Sequence, residues 1–174
     1  RKHPTRLARP GHPEQREHED IRHGTRALIA SFVVPTGEVV WNLGPTRTSV
    51  DFANHLTNVA HRFRDWSRIT WVVDNLNTHW SLDACQVLAR LNGLAFEPRR
   101  LRTGPERKAF RTDPGHRYRF AFTPTHGSWL NQVELWFSAL SRRFLKRGDF
   151  ASAAEFERRL TAYLEAYNAR EKHP

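Results

Sequence analysis

The run Ile69-Thr70-Trp71-Val72-Val73 constrains this chain more than any other, because it is almost unbroken in its apolar character and stops on a carboxylate, Asp74. A strand without alternation suits the interior of a parallel sheet. Open α/β sheets place their ligand sites beyond the C-terminal ends of such strands. Asp74 therefore stands where a site is expected.

The flanking segments extend the pattern. Arg26 to Val34 reads as a buried strand, Pro35-Thr36-Gly37 as a turn and Glu38 to Leu43 as a second strand, so the two predict a hairpin. Thr48-Ser49-Val50-Asp51 is a capping box, and Phe52, Leu56, Val59, Ala60 and Phe63 continue it with helical spacing. Ser81 caps a second helix through Leu82, Cys85, Leu88 and Leu91, which ends at Asn92-Gly93. Tyr118, Phe120 and Phe122 alternate as a fourth strand. Ser128 starts a helix with Leu130, Val133, Phe137, Leu140 and Phe144 on one face. Ser152-Ala153-Ala154-Glu155 opens the last helix, which carries Phe156, Leu160, Leu164 and Tyr167. The order predicts an α/β domain over residues 26–174, a mixed sheet flanked by helices. Residues 1–25, rich in Arg, His and Pro, read as a polar lead-in arm. Residues 97–117 are basic and broken by Gly and Pro, and read as a loop or insertion.

Charge narrows the partner. The net charge is +10 and the pI about 10.9, which favours a polyanion, nucleic acid being the commonest. Cys85 is the single cysteine, so an internal disulfide is excluded and a reducing cytosol fits. No apolar run approaches the roughly 18 residues of a membrane span, and no signal-peptide pattern opens the chain. The chain contains no Met and begins at Arg1, and it reads as a piece of a longer polypeptide.

Glu134 is the second notable carboxylate. It lies one position from the apolar Val133 and Phe137 and is expected at the helix–sheet boundary, with Asn131 on the same face. Carboxylate oxygens are what Mg²⁺ or Mn²⁺ prefers. The competing reading has Asp74 capping a turn and Glu134 paired with an arginine. His79 either orients a phosphate or a ligand carboxylate, or simply ends the turn after Asn75 and Asn77. Arg99, Arg100, Arg102, Arg107, Lys108 and Arg111 either track a DNA backbone or decorate a solvated loop. Trp129 and Trp136 stack on bases or, as near an apolar face, belong to the core.

The blocks Val72-Val73-Asp74-Asn75-Leu76-Asn77-Thr78-His79 and Ser128-Trp129-Leu130-Asn131-Gln132-Val133-Glu134-Leu135-Trp136-Phe137 closely resemble the mariner-like DDE transposases of bacterial insertion sequences. The resemblance extends from Arg1-Lys2-His3-Pro4 and Arg22-His23-Gly24-Thr25 through Arg147-Gly148-Asp149-Phe150 to Tyr167-Asn168. It implies a ribonuclease-H-like fold, acids in the order Asp, Asp, Glu, and two Mg²⁺ ions that activate water and then a 3′-hydroxyl against DNA phosphodiesters. Asp74 matches the second acid and Glu134 the third. Asn75, Asn131 and His79 are expected to support these two acids from behind. The first acid has no counterpart, and its strand, expected in mid-sheet, leaves an edge unpaired beside Ala27–Val34. A helix-turn-helix region has no counterpart either. The interval between Asp74 and Glu134 exceeds the family's usual short spacing, and residues 97–117 account for much of the excess. The resemblance also implies insertion-sequence ends and target DNA as partners, a homodimer in the intact enzyme, and a bacterial cytoplasmic, nucleoid-associated location. A DNA-binding remnant without cleavage, or a nuclease without transposition, are the rival readings.

Overall fold

The computed structural model describes residues 8–12, 24–74, 76–124 and 132–170. The hairpin forms as expected: β1 (Ala27–Val33) runs antiparallel to β2 (Glu38–Gly44), with Val33 opposite Glu38 and Ala27 opposite Gly44. The Gly37 amide closes the turn on the Val33 carbonyl at 2.8 Å, at a φ of 68° that favours glycine. Successive side chains of β1 point to opposite faces. Ile29 and Val33 join one apolar cluster, and Leu28, Ala30 and Phe32 pack against another. Both faces are covered, which is why the run lacks polar alternation.

Helix α1 (Ser49–Arg62) starts at the predicted capping box: Thr48 accepts from the Asp51 amide and Asp51 accepts from the Thr48 amide. Its buried side is Phe52, Leu56, Val59 and Ala60. This helix lies across both strand pairs. His55 bonds Ser31 of β1 and Asn42 of β2, each at 2.8 Å, while the Phe52 ring sits 6.1 Å from Phe120 of the other pair.

That other pair is parallel: β3 (Ile69–Val73) lies beside β4 (Tyr118–Phe122), from Ile69 opposite Tyr118 to Val73 opposite Phe122. Between them run α2 (Leu82–Leu91), capped by Ser81 as expected, and α3 (Gly104–Thr112). α4 (Gln132–Arg143) and α5 (Ala153–Arg170) follow, and with β1 and β2 they enclose the second cluster through Trp136, Leu140, Leu160 and Leu164. An antiparallel hairpin, a parallel pair and helices between them make the mixed α/β arrangement of a ribonuclease-H-like fold. No helix among the described residues is long and apolar enough to cross a membrane.

Two expectations need correction. Residues 97–117 are not an unstructured insertion. They contain α3, whose Thr103 and Glu106 form a capping box with Pro105 in the first turn. Gly and Pro here mark a helix start and its flanks, not a break. Nor is β3 an interior strand among the described residues. It pairs with β4 alone, and Val72 is 53% exposed while Trp71 and Val73 are buried.

The strands make two separate two-stranded sheets, leaving the second edges of β1 and β3 unpaired among the described residues. The outer edges are closed by side chains. Asn168 of α5 receives the Val39 amide at 2.9 Å and donates to its carbonyl at 2.8 Å. Asn92, just past α2, does the same for Tyr118 at 3.0 and 2.9 Å. Each amide imitates a neighbouring strand and satisfies backbone groups that would otherwise invite pairing.

Candidate active site

Asp74 follows β3 directly. One carboxylate oxygen, Oδ1, accepts from the Leu76 amide at 3.1 Å and lies 2.9 Å from Nδ1 of His79. That same nitrogen is 3.2 Å from the Asp74 carbonyl. A carbonyl can only accept, so Nδ1 carries the proton and donates to both oxygens. The remaining oxygen, Oδ2, is free of hydrogen bonds among the described residues, and the side chain is 44% exposed. The carboxylate is thus fixed from one side and open on the other.

The turn beneath it is built from several directions. Residues Asn77–Trp80 form a 3-10 turn in which the His79 amide bonds the Leu76 carbonyl at 2.9 Å. The His79 ring packs 4.5 Å from that of Phe52 in α1. Trp80 stacks on Phe122 at 4.6 Å. The Thr123 amide extends the parallel ladder by bonding the Val73 carbonyl at 2.9 Å, so the ends of β3 and β4 are locked together beside Asp74.

Glu134 sits in the first turn of α4, where a helix N-terminus favours a carboxylate. Val133, Trp136, Phe137 and Leu140 take the buried face, which turns Glu134 outward into solvent and not to the helix–sheet boundary. No hydrogen bond or ion pair occupies it among the described residues, so the pairing with an arginine that the competing reading offers is not formed there. Trp136 is core, as its neighbours suggested. Asn75, Asn131, Trp129 and the expected helix start at Ser128 lie outside the described residues.

The basic segment divides in two. Arg99, Arg100, Arg102 and Lys108 are exposed, with Arg100 paired to Glu97 at 2.6 Å. Arg107 and Arg111 turn inward, and Arg111 is wholly buried, so a DNA-tracking role does not extend to it. Arg107 donates to the carbonyls of Trp80, Leu101 and Arg102, and Arg111 to those of His79 and Arg107. Burial pushes the Arg111 guanidinium below its ordinary pKa and the neighbouring Cys85 thiol above its own.

His55 is the other buried polar group. Its Nδ1 meets an amide oxygen, Asn42 Oδ1, so it donates there and Nε2 accepts from the Ser31 hydroxyl. Burial lowers its pKa to about 4, so the ring is neutral near pH 7. Neither His55 nor Arg111 was legible as an interior polar group: His55 stands among ordinary helical neighbours, and Arg111 in a basic segment whose charge predicts exposure.

The free carboxylate oxygens of Asp74 and Glu134 are hard donors that suit a divalent cation bound through oxygen. They are two where a pair of ions calls for more, and no group of three or more His, Cys, Asp or Glu assembles among the described residues. The comparisons with curated proteins and with solved structures gave no match. The family model described as DDE superfamily endonuclease matches residues 1–157. An acid at the C-terminal end of a parallel strand, a second at a helix start and a match over nine-tenths of the chain agree: this chain belongs to the DDE superfamily endonucleases.

Proposed function

We propose that the chain is the catalytic domain of a DNA transposase, cleaving and joining the DNA of an insertion sequence. Asp74 and Glu134 act as metal ligands, and the arm at 1–25 precedes the catalytic domain at 26–174. The observation that carries this is the state of Asp74, held through Oδ1 by His79 and the Leu76 amide with its other oxygen open. His79 keeps the carboxylate aimed, as groups behind metal ligands do. A bound Mg²⁺ or Mn²⁺ supplies Lewis-acid polarisation of a phosphate and lowers the pKa of the attacking water. The exposed Arg99, Arg100, Arg102 and Lys108 contact the DNA backbone, and Asn75 and Asn131 support the acids. The intact enzyme works as a homodimer in the bacterial cytoplasm at the nucleoid.

With two acids in place of three, residues 1–174 alone are inactive in strand cleavage. The test is nicking of supercoiled plasmid in Mg²⁺ by this chain and by a polypeptide extended upstream in its reading frame. The chain alone should leave the plasmid intact. The extended protein should nick it, and Asp74→Asn or Glu134→Gln should abolish that. Robust nicking by the chain itself, unaffected by either substitution, would put the active site elsewhere. DNA binding without cleavage by the extended protein would favour a remnant.

A further inference from the structure

Arg111 is completely buried, yet no carboxylate among the described residues pairs with it. Its guanidinium lies over the rings of Trp80, Phe122 and Phe120, at 5.0, 5.7 and 5.9 Å from their centroids. One terminal nitrogen donates to the His79 carbonyl, Nε donates to the Arg107 carbonyl at 3.0 Å, and Nη2 has no partner among the described residues. One helical turn earlier, Arg107 donates to the Trp80 carbonyl at 3.2 Å. Two guanidiniums on one face of α3 therefore hold the last two carbonyls of the 3-10 turn, groups that such a short turn leaves without partners of its own.

Stability alone does not account for this. A buried charge without a counter-charge is expensive, and an apolar side chain of similar volume in its place is often neutral or stabilising. What the arrangement does achieve is position. The path runs from α3 through Arg111 to His79, and from Nδ1 of His79 to the Asp74 carboxylate 2.9 Å away. We infer that Arg111, assisted by Arg107, is a positioning residue for Asp74, and that the inward face of α3 serves as a clamp on the acid-bearing turn. The inference rests on the reading of Asp74 as a metal ligand.

The experiment uses the 174-residue chain and its Arg111→Met, Arg111→Lys, Arg107→Met and Asp74→Asn variants. Amide exchange at Leu76 and His79 is compared with exchange at Val59 and Leu88 in the neighbouring helices. Mn²⁺ is titrated alone, read as paramagnetic broadening of the Asp74 amide. In Arg111→Met, Leu76 and His79 should exchange about tenfold faster with Val59 and Leu88 unchanged. The Mn²⁺ midpoint should rise on the order of tenfold. Arg111→Lys, which keeps a donor, should recover part of both. Arg111→Met with parental exchange and midpoint would overturn the inference. Should Arg111→Met fail to fold, Arg107→Met decides by the same two readouts, faster exchange upholding the clamp and parental values overturning it. If Asp74→Asn leaves the midpoint unmoved, the metal reading of Asp74 fails, and the exchange arm still judges the clamp.

Discussion

The two halves of the molecule deliver their acids in different ways. The β3–β4 half presents Asp74 from a turn held by His79, by the Leu76 amide and by two arginines of α3. The β1–β2 half, packed against α4 and α5, presents Glu134 from an exposed helix turn with nothing bonded to it among the described residues. The halves share no strand pairing among the described residues, and α1 spans them through His55 on one side and Phe52 on the other. One acid is therefore aimed by its own surroundings, while the other depends on how the halves are held together.

The strongest effect separates the halves by pH. His55 titrates at about 4 in the fold and near its ordinary 6.5 when unfolded. Between those values the unfolded chain binds the extra proton, so stability falls as pH drops from 6.5 to 4. The loss is on the order of 3 kcal/mol. Urea unfolding at pH 7 and pH 4 measures it, and His55→Gln should flatten the dependence over that window. A drop that persists in His55→Gln would deny His55 its part in joining the halves.

A smaller effect probes the aim of Asp74. His79→Ala should weaken Mn²⁺ binding about 10- to 100-fold, the usual cost of losing a group behind a ligand. Leu135→Ala, a change at an exposed neighbour of Glu134, should leave binding within about twofold. Equal effects would erase the contrast between a fixed acid and a free one.

Matched substitutions at the sheet edges come next. Asn92→Ala and Asn168→Ala each remove hydrogen bonds to one strand residue and should cost about 1–3 kcal/mol apiece. Resonances of both halves should still melt at one temperature, because α1 carries both. Separate melting of one half would show that it does not. The weakest effect concerns DNA: neutralising Arg99, Arg100 and Arg102 should flatten the salt dependence of duplex binding, by up to about one log unit per log of salt for each phosphate no longer neutralised. An unchanged slope would make them ordinary surface charge.

Much of this fold was legible because local signals agreed with their surroundings. Thr48 and Ser81 cap where their side chains predicted, and the alternation of Tyr118, Phe120 and Phe122 became β4. The position of Asp74 followed from the run before it. α3 was missed because Gly104 and Pro105 looked like breakers, although a proline in a first helical turn is favourable and Thr103 with Glu106 already spelled a capping box. The inward turn of Arg107 and Arg111 was hidden for another reason. Charge predicts exposure, and only the tertiary placement of the His79 and Trp80 carbonyls reverses it. The unbroken apolar character of β3 spoke for cover on both faces, but pairing is set by neighbours that a strand's own sequence does not name.

In the proposed enzyme, Asp74 and Glu134 come from separate halves to serve one divalent-cation site. Titrating Mn²⁺ into the chain while following the amides of both residues distinguishes one site from two. Paramagnetic broadening at the two positions should follow one midpoint, and Asp74→Asn should remove it at Glu134 as well. Broadening at Glu134 that persists unchanged in Asp74→Asn, or two unrelated midpoints, would contradict a shared site.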